Sequence, residues 1–201
     1  GTDTSGNARP FATIDVGKLT SGLSYTFQLS VTDSLGEIGY ATVDLVVNTP
    51  PSSGSMSTSP SKGYPFTTDF SFVALNWVDT SLEDYPLLYT FTYVVTASGL
   101  AESPAADAQV GAMLTGVLLP MGAIAQNYSV TTSVYVTDGF GATSDAATDL
   151  VRVKPLLQSI ESLANTSKVA IRSYLDSGEP EKALQALSAT SSNIATSKAV
   201  T

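Results

Sequence analysis

The 201 residues contain no cysteine and no histidine. The first absence removes disulfides, thiolate ligands and thiol nucleophiles; the second removes imidazole as a base or metal ligand. Charge is scarce too, at 13% of residues, where a soluble domain usually carries about 25%. Nine Lys and Arg face eighteen Asp and Glu, a net charge of −9. A chain with so few cations is expected to grip neither nucleic acid nor an anionic membrane surface. No basic segment followed by an apolar run opens the sequence, so no signal peptide is read there. The abrupt start at Gly1-Thr2-Asp3, without an initiator Met, leads to the expectation of a piece of a longer protein. The uncharged stretch between Asp107 and Asp138 is most apolar from Val110 to Ala125, where Gly111, Gly116, Pro120 and Gly122 interrupt it. It falls short of the roughly 20 residues of a membrane-spanning helix and is expected to form buried strands and a turn.

Hydroxyl groups fill the place of charge: 27 Ser and 25 Thr. Thr and Val suit a pleated surface, and hydroxyl-rich neutral surfaces suit glycan-bearing extracellular chains. Two acceptor sequons are present, Asn127-Tyr128-Ser129 and Asn165-Thr166-Ser167, and Asn127 and Asn165 are candidate glycosylation sites. Chance occurrence in a Ser/Thr-rich chain is the competing reading.

The chain repeats itself. Val31-Thr32-Asp33 with Gly36 recurs as Val136-Thr137-Asp138 with Gly141, an offset of 105 residues. That period is one immunoglobulin-like sandwich. Each copy reads as a hairpin. In the first, Tyr25, Phe27, Leu29 and Val31 alternate with polar residues, a strand with one buried face, and the return strand carries Ala41, Val43, Leu45 and Val47. Asp33 and Asp138 open turns in which Gly36 and Gly141 take positive φ. Calcium ligation by the same aspartates is the alternative, weakened by the lack of a dense carboxylate loop. Tyr25 is read as a core residue whose hydroxyl bonds back to the chain, as in a tyrosine corner.

The second copy has about seven strand-like segments. They lie within residues 52–61, then at Asp69–Trp77 with Val73, Leu75 and Trp77 on one face, and at Leu87–Thr96 with Tyr89, Phe91, Tyr93 and Val95 alternating. Ala112–Leu119, Tyr128–Thr137 and Ala142–Val153 complete the set. Trp77, Tyr89 and Phe91 are assigned to the core, with a sugar-stacking platform of Tyr64, Tyr85 and Trp77 as the alternative. Beyond Lys154 the period becomes helical. Pro155 and Pro180 read as helix starts, and Asp176-Ser177-Gly178 as a stop. Leu156, Ile160, Leu163, Ile171 and Tyr174 line the first helix; Ala183, Leu184, Leu187 and Ile194 line the second.

The fold class is therefore mainly β: tandem immunoglobulin-like or fibronectin III-like sandwiches, the first incomplete, followed by a C-terminal helical hairpin. Residues 1–48 are the C-terminal half of a sandwich, 49–154 a complete one, and 155–201 a hairpin or linker to a further domain. Catalysis would have to fall to paired carboxylates such as Glu83 and Asp84, which in a loop are expected to be solvated, and no enzyme is expected.

Asn48-Thr49-Pro50-Pro51, Ser59-Pro60-Ser61, Trp77-x-Asp79, Pro86-Leu87-x-Tyr89-x-Phe91 and Val136-Thr137-Asp138 follow one another in order. With that order the chain resembles the receptor-for-egg-jelly (REJ) region of polycystin-family ectodomains. Its first segment, with Gly22-Leu23-x-Tyr25-x-Phe27, is similar to polycystic-kidney-disease or fibronectin III modules. The resemblance implies an extracellular, glycosylated, non-catalytic segment at the cell or ciliary surface, adhesive or mechanosensory, and without cofactor. Its implied partners are neighbouring modules of the same chain or like subunits, with covalently attached glycans and no direct membrane contact. The autoproteolysis tripeptide His-Leu-Ser or His-Leu-Thr is missing with histidine itself. A filament subunit built by strand addition and a carbohydrate-binding module are the two alternatives.

Overall fold

The computed structural model describes residues 13–95, 101–102, 107–156 and 158–197. Two compact units divide the chain, Gly1–Thr49 and Pro50–Thr201. The protein is mainly β, with three sheets and two C-terminal helices.

In the first unit a 3-10 turn at Val16–Lys18 precedes strands β1 (Ser24–Thr32) and β2 (Ile38–Val46). They pair antiparallel with Leu29 opposite Ala41 and Tyr25 opposite Leu45. Tyr25, Phe27, Leu29 and Val31 thus share one face with Leu45, Val43 and Ala41. The expected burial of that face fails. Tyr25 and Phe27 are half-buried, but Leu29 and Val31 are 68% and 60% exposed. A two-stranded ribbon has no opposing layer to cover its apolar side.

The second unit contains β3 (Ser55–Ser59), β4 (Lys62–Gly63), β5 (Phe70–Leu75), β6 (Leu88–Val95), β7 (Ala101–Glu102), β8 (Met113–Val117), β9 (Ser129–Thr137) and β10 (Ala147–Val153). Five of these form a sheet in the order β4-β10-β9-β6-β7, and three form another, β3-β5-β8. All pairs are antiparallel except β4 with β10. The pattern of inward residues explains why two sheets form. Phe70, Phe72 and Ala74 of β5 and Met56 of β3 join Phe91 and Tyr93 of β6 in one core. Val130, Val134 and Val136 of β9 and Val151 and Val153 of β10 belong to it as well. The Phe72 and Phe91 rings meet at 6.1 Å, tilted by 55°, a favourable aromatic geometry. Between the sheets, Thr58 and Thr132 pair their hydroxyls at 2.7 Å, and the Thr58 N–H donates to Asp149 Oδ2 at 2.7 Å. Buried polar groups are thereby satisfied where the sheets meet.

Two local expectations are corrected. On β5 the inward residues are Phe70, Phe72 and Ala74, whereas Val73 is half-buried and Leu75 exposed. Short apolar runs such as Phe-Val-Ala-Leu carry no alternation from which to choose a face. The last strand begins at Ala147 rather than Ala142, because Ser144 is occupied elsewhere: its Oγ accepts the Val136 N–H at 3.0 Å. Thr96, assigned to the third strand, lies outside the described residues.

Helices α1 (Ile160–Asp176) and α2 (Pro180–Ser197) close the chain. The first begins at Ile160, not at Pro155, because Ser159 caps it: its Oγ accepts the Ser162 N–H at 3.2 Å. Gly178, at φ 74°, ends it. The apolar stripe expected on α2 is also displaced. Leu184 and Leu187 are exposed, while Ala183, Gln185, Ala186, Ala189, Thr190 and Asn193 are buried. Small residues permit close approach. Gln185 Oε1 accepts the Leu118 N–H at 2.8 Å, and Ser192 Oγ accepts the Met121 N–H at 3.1 Å. Together they anchor α2 to the buried segment that follows β8. No helix among the described residues is long and apolar enough to cross a membrane.

Candidate functional site

The repeated turns carry the most regular local chemistry in the chain. Asp33 Oδ1 accepts the N–H groups of Leu35 and Glu37 at 2.8 and 2.9 Å. Asp138 Oδ1 accepts those of Phe140 and Ala142, both at 2.9 Å. Gly36 and Gly141 share a φ of 91°, where a side chain is strained. The copies differ in surroundings, since Asp33 is exposed and Asp138 buried. Among the described residues, no group of three or more acidic side chains is placed to hold a metal ion.

The aromatic candidates occupy different settings. Tyr25 is half-buried, and its hydroxyl accepts the Thr20 N–H at 2.8 Å. That donor stabilises the phenolate, so the Tyr25 pKa is lowered. Phe91 is buried; Tyr89 is partly buried against the core, with its pKa raised by that burial. Trp77 is partly buried against the same core, and its indole N–H is buried without a hydrogen-bond partner. A Cβ on Gly54 would overlap the Trp77 ring, so the Gly54 backbone packs directly against the indole. A recess of about 370 Å³ beside it is lined by Pro51, Ser53, Gly54, Trp77, Ser144 and Asp145. Tyr64 and Tyr85 are exposed.

Asp84 was missed by sequence reasoning, which expects solvation for the Glu83–Asp84 pair. It is only 5% exposed. The 3-10 turn Leu82–Asp84, capped by Ser81 Oγ on the Glu83 N–H, tucks it inward. The Asp84 backbone carbonyl then accepts the Gly139 N–H in the second repeated turn. Burial raises the Asp84 pKa, aided by a hydrogen bond to Asp79 and by the charges of Asp79, Asp138 and Glu83. Asp79 and Glu83 are local, but Asp138 and Gly139 lie more than fifty positions further along the chain, and no local pattern in the sequence signals that they meet Asp84.

Both sequon asparagines are exposed. Asn127 is in the left-handed conformation, φ 53°, after the 3-10 turn Ile124–Gln126. Asn165 lies on α1. The hydroxyl two residues beyond it, on Ser167, is buried and donates to the Leu163 carbonyl at 2.7 Å. The geometry therefore offers two surface asparagines, two aspartate-capped turns, the buried Asp84 beside the second of them, and a hairpin with exposed apolar residues.

No curated protein matches the chain. Among solved structures, the crystal structure of a β-1,2-glucanase from Parabacteroides distasonis is similar over 70% of this chain, at 12% identity and a TM-score of 0.32. The chain spans 18% of that protein's length, and a likeness this distant carries no argument. The REJ domain profile matches residues 1–189. With that match over nearly its whole length, the chain belongs to the REJ domain family.

Proposed function

We propose that the protein is a non-catalytic structural and adhesive segment of a polycystin-type glycoprotein ectodomain at the cell or ciliary surface. The REJ domain match over residues 1–189 carries this reading. In it, the units act in series as a stiff rod, with load borne by backbone ladders and hydroxyl-rich faces kept hydrated. The strand orders β3-β5-β8 and β4-β10-β9-β6-β7 support reading residues 49–154 as an immunoglobulin-like sandwich. The repeat supports reading residues 1–48 as the second half of another. Residues 155–201 are read as a helical hairpin or a linker to a further domain. The exposure of Asn127 and Asn165 supports both as glycan sites. The covered face of Trp77 gives the carbohydrate-platform alternative less support.

Glycopeptide mapping of the protein isolated from its source tests the setting. Sugars on Asn127 or Asn165 support an ectodomain; two bare sequons in the natural protein would count against it. Pulling single molecules from both ends tests the rod. The β6-β9-β10 ladder is expected to give a distinct force peak, and stretching without one removes the load-bearing role. Hydrolysis of any glycan by the purified chain would overturn the non-catalytic assignment.

A further inference from the structure

Cations are scarce in this chain, nine Lys and Arg in all, yet three of them meet where β4 pairs with β10. Lys62 lies opposite Arg152 in the register, and the Lys154 N–H donates to the Gly63 carbonyl at 3.0 Å. Val151 and Val153 are buried in the core, so alternation turns Arg152 and Lys154 outward. A Cβ on Gly63 would meet the Phe70 ring, so Lys62, one residue before it, takes the other side of its strand. Lys62 and Lys154 are exposed, and Arg152 is half-buried. Among the described residues none of the three makes a salt bridge. Arg152 Nε is buried without a hydrogen-bond partner. Lysine on a short edge strand such as β4 guards against strand addition. That account does not reach Arg152, whose strand lies between β4 and β9. A guanidinium held partly out of water with an unused donor calls for an acceptor.

From this we infer that Lys62, Arg152 and Lys154 form a binding site for an extended acidic peptide segment whose carboxylates stand on alternate residues. Arg152 and Lys154 are two positions apart on one face, a spacing of roughly 6.6 Å. An extended peptide repeats its own side chains at that spacing, so one carboxylate meets Arg152 and the next meets Lys154. The planar guanidinium takes a carboxylate through two parallel N–H donors, which brings the idle Nε into use. Lys62, on the neighbouring strand roughly 4.8 Å away, adds a second cation beside Arg152. Leu150 shares the face on the other side of Arg152 and is 63% exposed, a contact for an apolar residue next in the alternation. The chain as a whole carries a net charge of −9, so attraction for an acidic segment is confined to this patch. The chain holds one alternating acidic pair of its own, Glu179 and Glu181. It sits at the start of α2 with Glu179 bridged to Lys182 at 2.8 Å, which sets a second copy aside as occupant. Binding by this patch does not depend on the glycans or the rod role proposed for the segment.

An NMR titration of the isotope-labelled, intact 201-residue chain tests this. The probe is the peptide Leu-Thr-Glu-Thr-Glu-Thr-Leu, which reads the same in either direction along β10. It is expected to shift the amides of Gly63, Arg152 and Lys154 and the Arg152 Nε–H. The same peptide with Gln for Glu is expected to bind about tenfold more weakly or worse. Leu-Thr-Thr-Glu-Glu-Thr-Leu, equal in composition but with adjacent acids, is expected to bind about threefold more weakly. Arg152→Lys keeps the charge and loses the fork, and is expected to weaken binding about fivefold or more. Lys154→Gln, at an exposed position, provides a second variant with the same direction of effect, and hydrogen exchange in Ser129–Thr137 reports that both remain folded. No shift at these groups, equal binding of the Gln peptide, or unchanged binding by Arg152→Lys would overturn the assignment. So would tighter binding of a tetrasaccharide containing uronic acids, since the ligand would then be an acidic sugar. Sedimentation in which the chain dimerises and Lys154→Gln disperses the dimer would make the occupant a second copy and overturn it as well.

Discussion

Asp138 and Asp33 hold the same turn in two surroundings, and the difference sets what each contributes. Asp138 is 3% exposed and accepts two N–H groups in part-buried hydrogen bonds. Asp138→Ala is expected to destabilise the second unit by about 1–3 kcal/mol, the cost of removing a buried acceptor from two part-buried donors. Asp33→Ala leaves donors that water can satisfy and is expected to cost about 1 kcal/mol or less. Urea unfolding of the two variants checks the ordering, and a larger loss for Asp33→Ala would contradict it. Asp84 gives a pH signature. Its pKa lies above the ordinary 3.8, first through burial and then through Asp79, Asp138 and Glu83. The folded state therefore retains a proton that the unfolded chain releases. Its contribution is fully present below pH 3.8 and is lost as pH rises through the folded value. Asp84→Asn, neutral throughout, is expected to flatten that fall. Melting temperatures of both proteins between about pH 3 and pH 8 measure it, and an unchanged pH profile would remove Asp84 as the cause. The turns were legible from Asp-x-x-Gly spacing because turn chemistry is local. The buried Asp84 was not, because Gly139 and Asp138 reach it from a distant loop.

The elements follow the same division. Strand existence was legible wherever residues alternate, as in Tyr89, Phe91, Tyr93 and Val95, but not the inward face of β5, where four apolar residues run together. The helices were legible from proline, glycine and spacing, yet the burying face of α2 was not. Leu184 and Leu187 point outward, and the contact is made by Ala186, Ala189 and Gln185. Burial of small residues depends on how closely another element approaches, which a periodicity in large residues does not report. Gln185→Ala is expected to cost about 1–3 kcal/mol by orphaning the buried Leu118 N–H. It should speed exchange of amides along α2 while β9 stays protected. Leu187→Ala, on the exposed side, is expected to change stability by no more than about 0.5 kcal/mol. Denaturant titrations of the two variants decide which face of α2 is the anchoring one; a larger loss for Leu187→Ala would restore the face read from periodicity.

For the molecule as a whole, the two units differ in how much apolar surface they remove from water. The second closes a core around Phe70, Phe72, Phe91 and the β9 valines. The first leaves Leu29, Val31, Val43 and Leu45 exposed. Exchange across the intact chain is therefore expected to be slowest in β6, β9 and β10, and faster by about tenfold or more in β1 and β2. Hydrogen exchange with mass-spectrometric readout checks this, and equal protection in both hairpins would show that the first is covered in solution. The sequence by itself determined the repeat, the β-rich class, the aspartate turns, the helical tail and the REJ likeness, because each rests on residues near one another or in a fixed order. Only the tertiary structure decided which faces are covered: that β1 is bare where β9 is buried, that Asp84 is enclosed, and that α2 docks through its small residues. Burial is a relation between distant segments, and an apolar stripe reads the same along the chain whether or not another layer meets it.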